Sequence, residues 1–227
     1  MKNIIAIDGP AASGKTTLGK LLAAKFEYLF FDTGVMYRAV TLAVVNAGIS
    51  IEDKLACSKL AEDIQIDVLQ PSEEDGRSND VLIDGVDSTW DIVKPEVVAC
   101  VSEISAIPGV RKALTAKQRE IGLRGNVVMV GRDIGTVVLP EAGVKIYLNA
   151  SPEERAKRRY DERIARGEPV DYDTLLAVIK KRDKIDSNRE VAPLAAAEDA
   201  YILESDGKDA GAVFQEALGV FNERTAE

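Results

Sequence analysis

The chain has 227 residues, enough for one α/β domain with a sizeable core and a small insert, but too few for two full domains to be expected. Its formal net charge of −9 argues against a general nucleic-acid-binding protein, so we expect no nucleic-acid partner. The sequence contains no histidine, which excludes Ser-His and Cys-His nucleophilic schemes and most transition-metal sites. Any chemistry must therefore depend on Asp, Glu, Lys, Arg and a hard cation.

Two cysteines, Cys57 and Cys100, are spaced neither as metal ligands nor as part of a disulfide framework. We therefore expect a reducing compartment and a cytoplasmic protein. The first apolar run covers only residues 4–7 before Asp8, which is too short for a signal peptide or a membrane span. We expect no membrane partner.

The first predicted strand leads into a glycine-bounded loop that ends in Lys-Thr. Its spacing matches the phosphate-binding P-loop pattern G-x-x-x-x-G-K-[ST]. Gly9 and Gly14 allow backbone N–H groups to wrap closely around a polyphosphate. Lys15 would reach the terminal phosphates, and the Thr16 hydroxyl would bind Mg²⁺. The alternative is a glycine-rich turn with a chance lysine. The predicted ATP-binding residues are Gly9, Pro10, Ala11, Ala12, Ser13, Gly14, Lys15, Thr16 and Thr17.

Along the chain, short apolar runs alternate with segments of helical period. Strands are predicted near residues 3–8, 28–31, 126–130, 144–148 and 201–203. Helices are predicted near residues 14–26, 35–47, 95–106, 109–121, 152–166, 172–188 and 208–223. Five buried strands that alternate with helices indicate an α/β fold with an open parallel sheet and helices on both faces.

Residues 63–90 have a different pattern. Apolar and polar residues alternate at 64–68 and again near 81–85, on either side of a stretch rich in Pro, Ser, Glu, Asp and Gly. This pattern predicts a small antiparallel meander inserted beside the main sheet. The alternative is a disordered acidic loop at 71–80 between two core strands.

Arginines cluster on the helix that follows Pro152. At 3.6 residues per turn their spacing places them in one stripe, which could bind the phosphates of two anionic substrates. Acidic neighbours favour the alternative of a solvated charged face. The arginines of this stripe are Arg155, Arg158, Arg159, Arg163 and Arg166.

A second polar set, Arg182, Asp186 and Arg189, lies on one face of the next helix. A surface ion-pair network explains that spacing equally well.

Asp32, Arg132 and Asp133 follow the ends of predicted strands. Ligands bind at this edge of an open α/β sheet. For these three residues we favour a functional role over a capping role.

The combined segments resemble the bacterial cytidylate kinase family. The P-loop is common to many enzymes, whereas D-[ST]-G-x-x-Y-R and G-R-D-x-G-T together are specific to this family. One departure is that the family commonly has aspartate immediately before Gly-Arg-Asp, where this chain has Val130. The matching segments are residues 7–17, 32–38, 131–138, 150–155 and 182–194.

This resemblance implies a three-layer P-loop kinase fold with a five-stranded parallel sheet, a β-rich monophosphate-binding insert and a helical lid. It implies a single domain, residues 1–227, whose core is 1–62, 93–152 and 168–227, with the insert at about 63–92 and the lid at about 153–167. It also implies transfer of the γ-phosphoryl group of ATP to CMP or dCMP with Mg²⁺. We expect a monomer.

Site residues are implied in the same way. Thr33, Ser102, Arg111 and Arg189 would contact the cytosine. Arg182 and Asp186 would hold the sugar near Asp133, and Arg38 and Arg132 would hold the acceptor phosphate. The predicted catalytic residues are Lys15, Arg132, Asp133, Arg155, Arg158, Arg159 and Arg163. Alternatives are a P-loop kinase for another small acceptor and a P-loop NTPase that acts as a binding module.

Overall fold

The computed structural model describes residues 3–225. Contacts within the chain divide it into two compact units. The first unit runs to Phe30 and resumes at Gly122, and the second unit is Phe31–Ile121.

Eight strands and eight α-helices occur in this part of the chain. The strands are β1 (Ile4–Asp8), β2 (Leu29–Asp32), β3 (Ile66–Leu69), β4 (Asp80–Ile83), β5 (Val86–Asp87), β6 (Val127–Val130), β7 (Val144–Asn149) and β8 (Tyr201–Glu204). The helices are α1 (Lys15–Phe26), α2 (Gly34–Asn46), α3 (Lys54–Asp63), α4 (Pro95–Ala106), α5 (Pro108–Gly122), α6 (Pro152–Ala165), α7 (Tyr172–Asn188) and α8 (Ala210–Thr225).

A five-stranded parallel sheet in the order β2-β6-β1-β7-β8 forms the centre of the first unit. β1 is the middle strand, and its residue Ile7 lies opposite Val130 of β6 and Ile146 of β7. The predicted α/β fold with a five-stranded parallel sheet is therefore confirmed. Strands β1, β6 and β7 end at the same edge of the sheet, because parallel neighbours run in one direction.

The core of the first unit lies on the face of the sheet covered by α1 and α8. Ile5 and Ile7 of β1 are in this core, and Leu18 and Leu22 of α1 pack there. The intervening β1 residues are buried as well, so both faces of the strand are covered. That two-sided burial explains why the strand is a continuous apolar run.

The second unit contains α2 to α5 and a small sheet in the order β3-β4-β5. Both pairings in this sheet are antiparallel, which confirms the predicted meander. The side chain of Arg77 donates hydrogen bonds to Asp75, Asp80 and Asp87 and so ties the polar segment before β4 to the sheet.

Two local features were not predicted. Helix α3 begins where the Asp53 carboxylate accepts the N–H of Ala56, and it buries only Cys57 and Ala61. A π-helical turn occupies Ile134–Val138. No helix among residues 3–225 combines the length and apolar character needed to span a membrane.

We expect Leu22→Ala to lower the free energy of unfolding by about 3 kcal/mol, because it removes packed atoms and leaves a cavity in the core. Leu22 is 0% exposed, whereas its neighbour Leu21 is 38% exposed. Leu21→Ala is therefore the matched control and should change stability much less. Urea unfolding of both variants measures the difference. Equal losses would contradict the core described above.

Candidate active site

The P-loop connects the end of β1 to the start of α1. Gly9 and Gly14 have φ angles of +146° and +97°, in the region that favours glycine. No side chain caps the N-terminus of α1 at Gly14, and the amides and dipole of a helix N-terminus favour an anion. The predicted strand, loop and helix are all present.

Lys15 extends back across the loop. Its Nζ atom donates hydrogen bonds to the carbonyl oxygen of Pro10 at 2.6 Å and to the hydroxyl of Ser13 at 3.3 Å. The ammonium group is buried, so its charge is poorly screened by water. A buried positive charge inside a loop of amides is suited to binding phosphate.

Asp8 was not predicted as a site residue. It is 4% exposed, and its two carboxylate oxygens accept the N–H groups of Ile134 and Gly135, each at 2.7 Å. Burial raises the pKa of Asp8 to about 6, although the two backbone hydrogen bonds lower it. Nearby Asp133 raises this pKa further, and Lys15 opposes that effect. The available sequence signal was an ionisable residue at the end of a buried apolar strand.

The structure brings four of the predicted substrate-binding residues together after β6 and on α7. Arg132 Nε donates to Asp186 Oδ2 at 2.9 Å. Arg189 lies 3.6 Å from both Asp133 Oδ1 and Asp186 Oδ1. Burial alone would raise the pKa of Asp186, but Arg132, Arg182 and Arg189 together lower it. These residues form a charged set, buried except for the partly exposed Arg132, with two cations that could face an anion.

Helix α6 carries the arginines of the predicted lid, and two of them contact the P-loop. Arg155 is 2% exposed, pairs with Asp183 and donates to the carbonyl oxygen of Ala11 at 3.1 Å. Arg158 donates to the carbonyl oxygen of Ser13 at 3.3 Å and also binds Ser205. Asp183 and Ser205 were not predicted as partners, since the spacing of residues along the chain does not show which side chains meet α6.

Arg159 and Arg163 are placed differently. They pair with Glu162 and Glu168, respectively, in partly exposed ion pairs. Exposed pairs of this kind contribute little to stability. The interpretation as a solvated charged face therefore fits Arg159 and Arg163, whereas Arg155 and Arg158 contact the P-loop.

The remaining predicted residues, Thr33, Arg38, Ser102 and Arg111, lie in the second unit. Arg111 is buried, lies 5.4 Å from the ring of Tyr37 and donates to the Ser105 carbonyl oxygen. Ser105 in turn donates its hydroxyl to the carbonyl oxygen of Ser102 on α4. Thr33 is buried immediately before α2.

Arg38 lies on α2, one turn after Thr33. Its Nε atom is buried, and within residues 3–225 it has no hydrogen-bond partner. A buried donor of this kind is unfavourable unless a ligand or water satisfies it. That observation agrees with a role for Arg38 in binding an anion.

A family model described as cytidylate kinase matches residues 5–223. The chain therefore belongs to the cytidylate kinase family. It is 48% identical over 216 residues to a cytidylate kinase of Herpetosiphon aurantiacus, a match that covers 95% of this chain and 93% of the relative. A cytidylate kinase of Chloroflexus aggregans is 51% identical over 203 residues, with 89% and 86% covered.

Among solved structures, a shikimate kinase from Bacteroides thetaiotaomicron is similar in fold. The match has a TM-score of 0.50 at 16% identity and covers 98% of this chain and 99% of that protein. This similarity supports the P-loop kinase fold only. Val130, which stands where the cytidylate kinase family commonly has aspartate, is part of the apolar core and so extends β6.

We expect Gly9→Ala to abolish nucleotide binding. A Cβ atom at this position would lie 2.2 Å from the carbonyl oxygen of Leu148, a backbone atom that cannot move aside alone. The loop would therefore shift away from β7. Gly219→Ala is the control, because a Cβ there would meet nothing within 4 Å. Titration with ATP by calorimetry measures the effect, and tight binding by the Gly9 variant would contradict this account of the loop.

Proposed function

We propose that the protein is an ATP-dependent phosphotransferase that converts CMP or dCMP to CDP or dCDP. The observation that carries the proposal is the linked charged set of Arg132, Asp133, Asp186 and Arg189, of which all but the partly exposed Arg132 are buried. Arg132 and Asp133 follow β6, which is the direct neighbour of the strand that leads into the P-loop. A P-loop accounts for one nucleotide, and this second charged set indicates a second anionic substrate.

ATP would bind at residues 9–17. The backbone amides of the loop and the Lys15 ammonium group would hold its phosphates. Lys15 and Arg132 would stabilise charge on the transferred group, and no covalent intermediate with the protein is required. Removal of one such donor typically lowers the rate on the order of a hundredfold or more.

Magnesium would accompany ATP. Residues 3–225 contain no group of three or more acidic, cysteine or histidine side chains that could enclose a metal ion. Mg²⁺ fits such a site, because it keeps several waters and usually binds through one or two protein oxygens together with substrate phosphates. The hydroxyl of Thr16, in the first turn of α1, would be the protein ligand. When bound, the ion would neutralise part of the phosphate charge.

The acceptor would be recognised by the predicted substrate-binding residues. Arg38 and Arg132 would bind the phosphate of CMP, and Arg182 and Asp186 would hold the sugar near Asp133. The cytosine would be contacted by Thr33, Ser102, Arg111 and Arg189. Paired donors and acceptors of this kind can distinguish the 4-amino group of cytosine from the 4-oxo group of uracil.

The lid would act through its arginines. Arg155 and Arg158 hold α6 to carbonyl groups of the P-loop, where their charge would act on the phosphates. Arg159 and Arg163 would exchange their exposed glutamate partners for phosphate oxygens. The closed lid would also exclude water, so that ATP is not hydrolysed in place of phosphoryl transfer.

We further propose that the chain works as a monomer in the cytoplasm, as one kinase domain. Its core would be 1–62, 93–152 and 168–227, with the monophosphate-binding insert at about 63–92 and the lid at about 153–167. The small antiparallel sheet of β3 to β5 supports the insert, and α6 supports the lid. Both cysteines are free thiols, which agrees with a reducing compartment.

A coupled assay of ADP release across monophosphate acceptors tests the function. With Mg-ATP we expect CMP and dCMP to be used well ahead of UMP, and little ADP without an acceptor. If AMP, GMP or a non-nucleotide acceptor is used best, the substrate assignment fails and only the kinase class remains. Acceptor-independent hydrolysis at the same rate would instead indicate an NTPase module. Lys15→Met is the control for contaminating kinases.

We expect Asp186→Asn to lower kcat/KM for CMP roughly a hundredfold, mainly through KM, because Arg132 and Arg189 lose the carboxylate that orients them. The KM for ATP should change little. Asp161→Asn is the matched control, since Asp161 forms an exposed pair with Lys157 on α6. Initial rates with each substrate varied in turn measure both constants. An equal loss for ATP and CMP would argue against a role in the acceptor site.

A further inference from the structure

Two hydrogen-bonded anchors enclose the Arg132–Asp133 turn. On its N-terminal side, the N–H of Gly131 donates to the carbonyl oxygen of Ile7 at 3.0 Å. On its C-terminal side, the N–H groups of Ile134 and Gly135 donate to the Asp8 carboxylate at 2.7 Å. The two acceptors belong to Ile7 and Asp8, which are consecutive residues of β1. The turn is therefore fixed at both ends to the strand that leads into the P-loop.

The second anchor is the side chain of Asp8, and Gly135 packs closely against it. A Cβ atom on Gly135 would lie 3.2 Å from Cδ of Lys145 and 3.4 Å from Oδ2 of Asp8. The absence of a side chain at Gly135 thus allows the backbone to approach the carboxylate. Both carboxylate oxygens of Asp8 accept hydrogen bonds from this one turn, so two separate hydrogen bonds fix the position of the turn.

Stability alone does not explain a carboxylate at this position. Ionised Asp8 is disfavoured by burial, which is why its pKa is raised to about 6. The titratable groups that interact with it are Lys15 on α1, Asp133 in the turn itself and Tyr147 on β7. Of the two charged groups, Lys15 favours the ionised form of Asp8 and Asp133 disfavours it. Groups held in a costly state beside a ligand-binding loop are candidates for a functional role.

We propose that Asp8 is a positioning residue, which holds the Arg132–Asp133 turn in register with the P-loop so that donor and acceptor phosphates are aligned; this inference rests on the proposed kinase function. Asp8 touches neither substrate in this proposal. It acts through Arg132, which meets Asp186, and through Asp133, which meets Arg189. A displacement of about 1 Å in such a group lowers a rate on the order of a hundredfold.

Asp8→Asn is the test, because it preserves shape and removes one acceptor. An amide offers a single acceptor oxygen, so one of the two N–H donors would face another N–H group and the turn would shift. We expect kcat with CMP to fall roughly a hundredfold. The Kd for ATP, measured by calorimetry, should be unchanged within error. Asp53→Asn is the matched control, since Asp53 accepts one backbone N–H in the exposed cap of α3.

The pH dependence separates positioning from simple structural support. Activity of the native protein should fall as pH decreases through about 6, where Asp8 becomes protonated, and the asparagine variant should lack this decrease. The stability of the native protein should instead increase as pH decreases over the same range. Because the folded-state pKa is raised, protonation of Asp8 favours the native fold, an effect fully present below the unfolded pKa and lost as pH rises through about 6. A structural anchor alone would not give opposite trends.

Three results would overturn the proposal: an asparagine variant with kcat near that of the native protein, an acid limb of activity that this variant keeps, or a parallel loss of ATP affinity. Gly135→Ala provides a second variant, which crowds the carboxylate while it keeps the charge, so we expect a smaller loss of kcat, an unchanged Kd for ATP and an acid limb that is retained. Amide NMR signals of Ile134 and Gly135 should titrate with a pKa of about 6 in the native protein only. This measurement needs no acceptor, so failure of the CMP assignment is distinguished from failure of the positioning role.

Discussion

The pairing of β1 with β6 on one side and β7 on the other determines where the charged loops of the first unit lie. Parallel strands end together, so the P-loop after β1 and the Arg132–Asp133 turn after β6 leave the sheet side by side. The chain after β7 leaves at the same edge before α6 begins at Pro152. The apolar packing of these three strands thus determines the distances between the polar groups in the loops that follow them. Those polar groups themselves contribute little to the packing.

Two ion pairs in the first unit each have one buried member and one partly exposed member. Arg155 pairs with Asp183, and Arg132 pairs with Asp186. Removal of such ions from water is unfavourable, and their mutual attraction recovers the loss only when the geometry and remaining hydrogen bonds are good. These pairs are therefore weak grounds for stability, but they fix the direction of each guanidinium group. Fixed charge is what the transfer of a phosphoryl group between two anions requires.

Most regular elements could be predicted because burial imposes a period on the sequence. β1 and β6 are buried and show as short apolar runs rich in β-branched residues, β7 alternates between buried and partly exposed residues, and α1 shows a helical period. α3 could not be predicted in the same way, since only Cys57 and Ala61 of this helix are buried. Its start depends on Asp53, and an aspartate that caps a helix looks the same in sequence as one that forms a turn.

The arginine stripe of α6 shows why the site was only partly predictable. At about 100° per residue, Arg158 lies about 60° to one side of Arg155, while Arg159 and Arg163 lie about 40° and 80° to the other. Arg155 and Arg158 contact partners 28 to 145 residues away in the chain, which periodicity does not specify, although Arg158 also pairs with Glu154 on its own helix. The other two pair with glutamates nearby in sequence. Because such exposed pairs are weak, Arg159 and Arg163 can change partner at little cost, whereas Arg155 and Arg158 keep the helix on the P-loop.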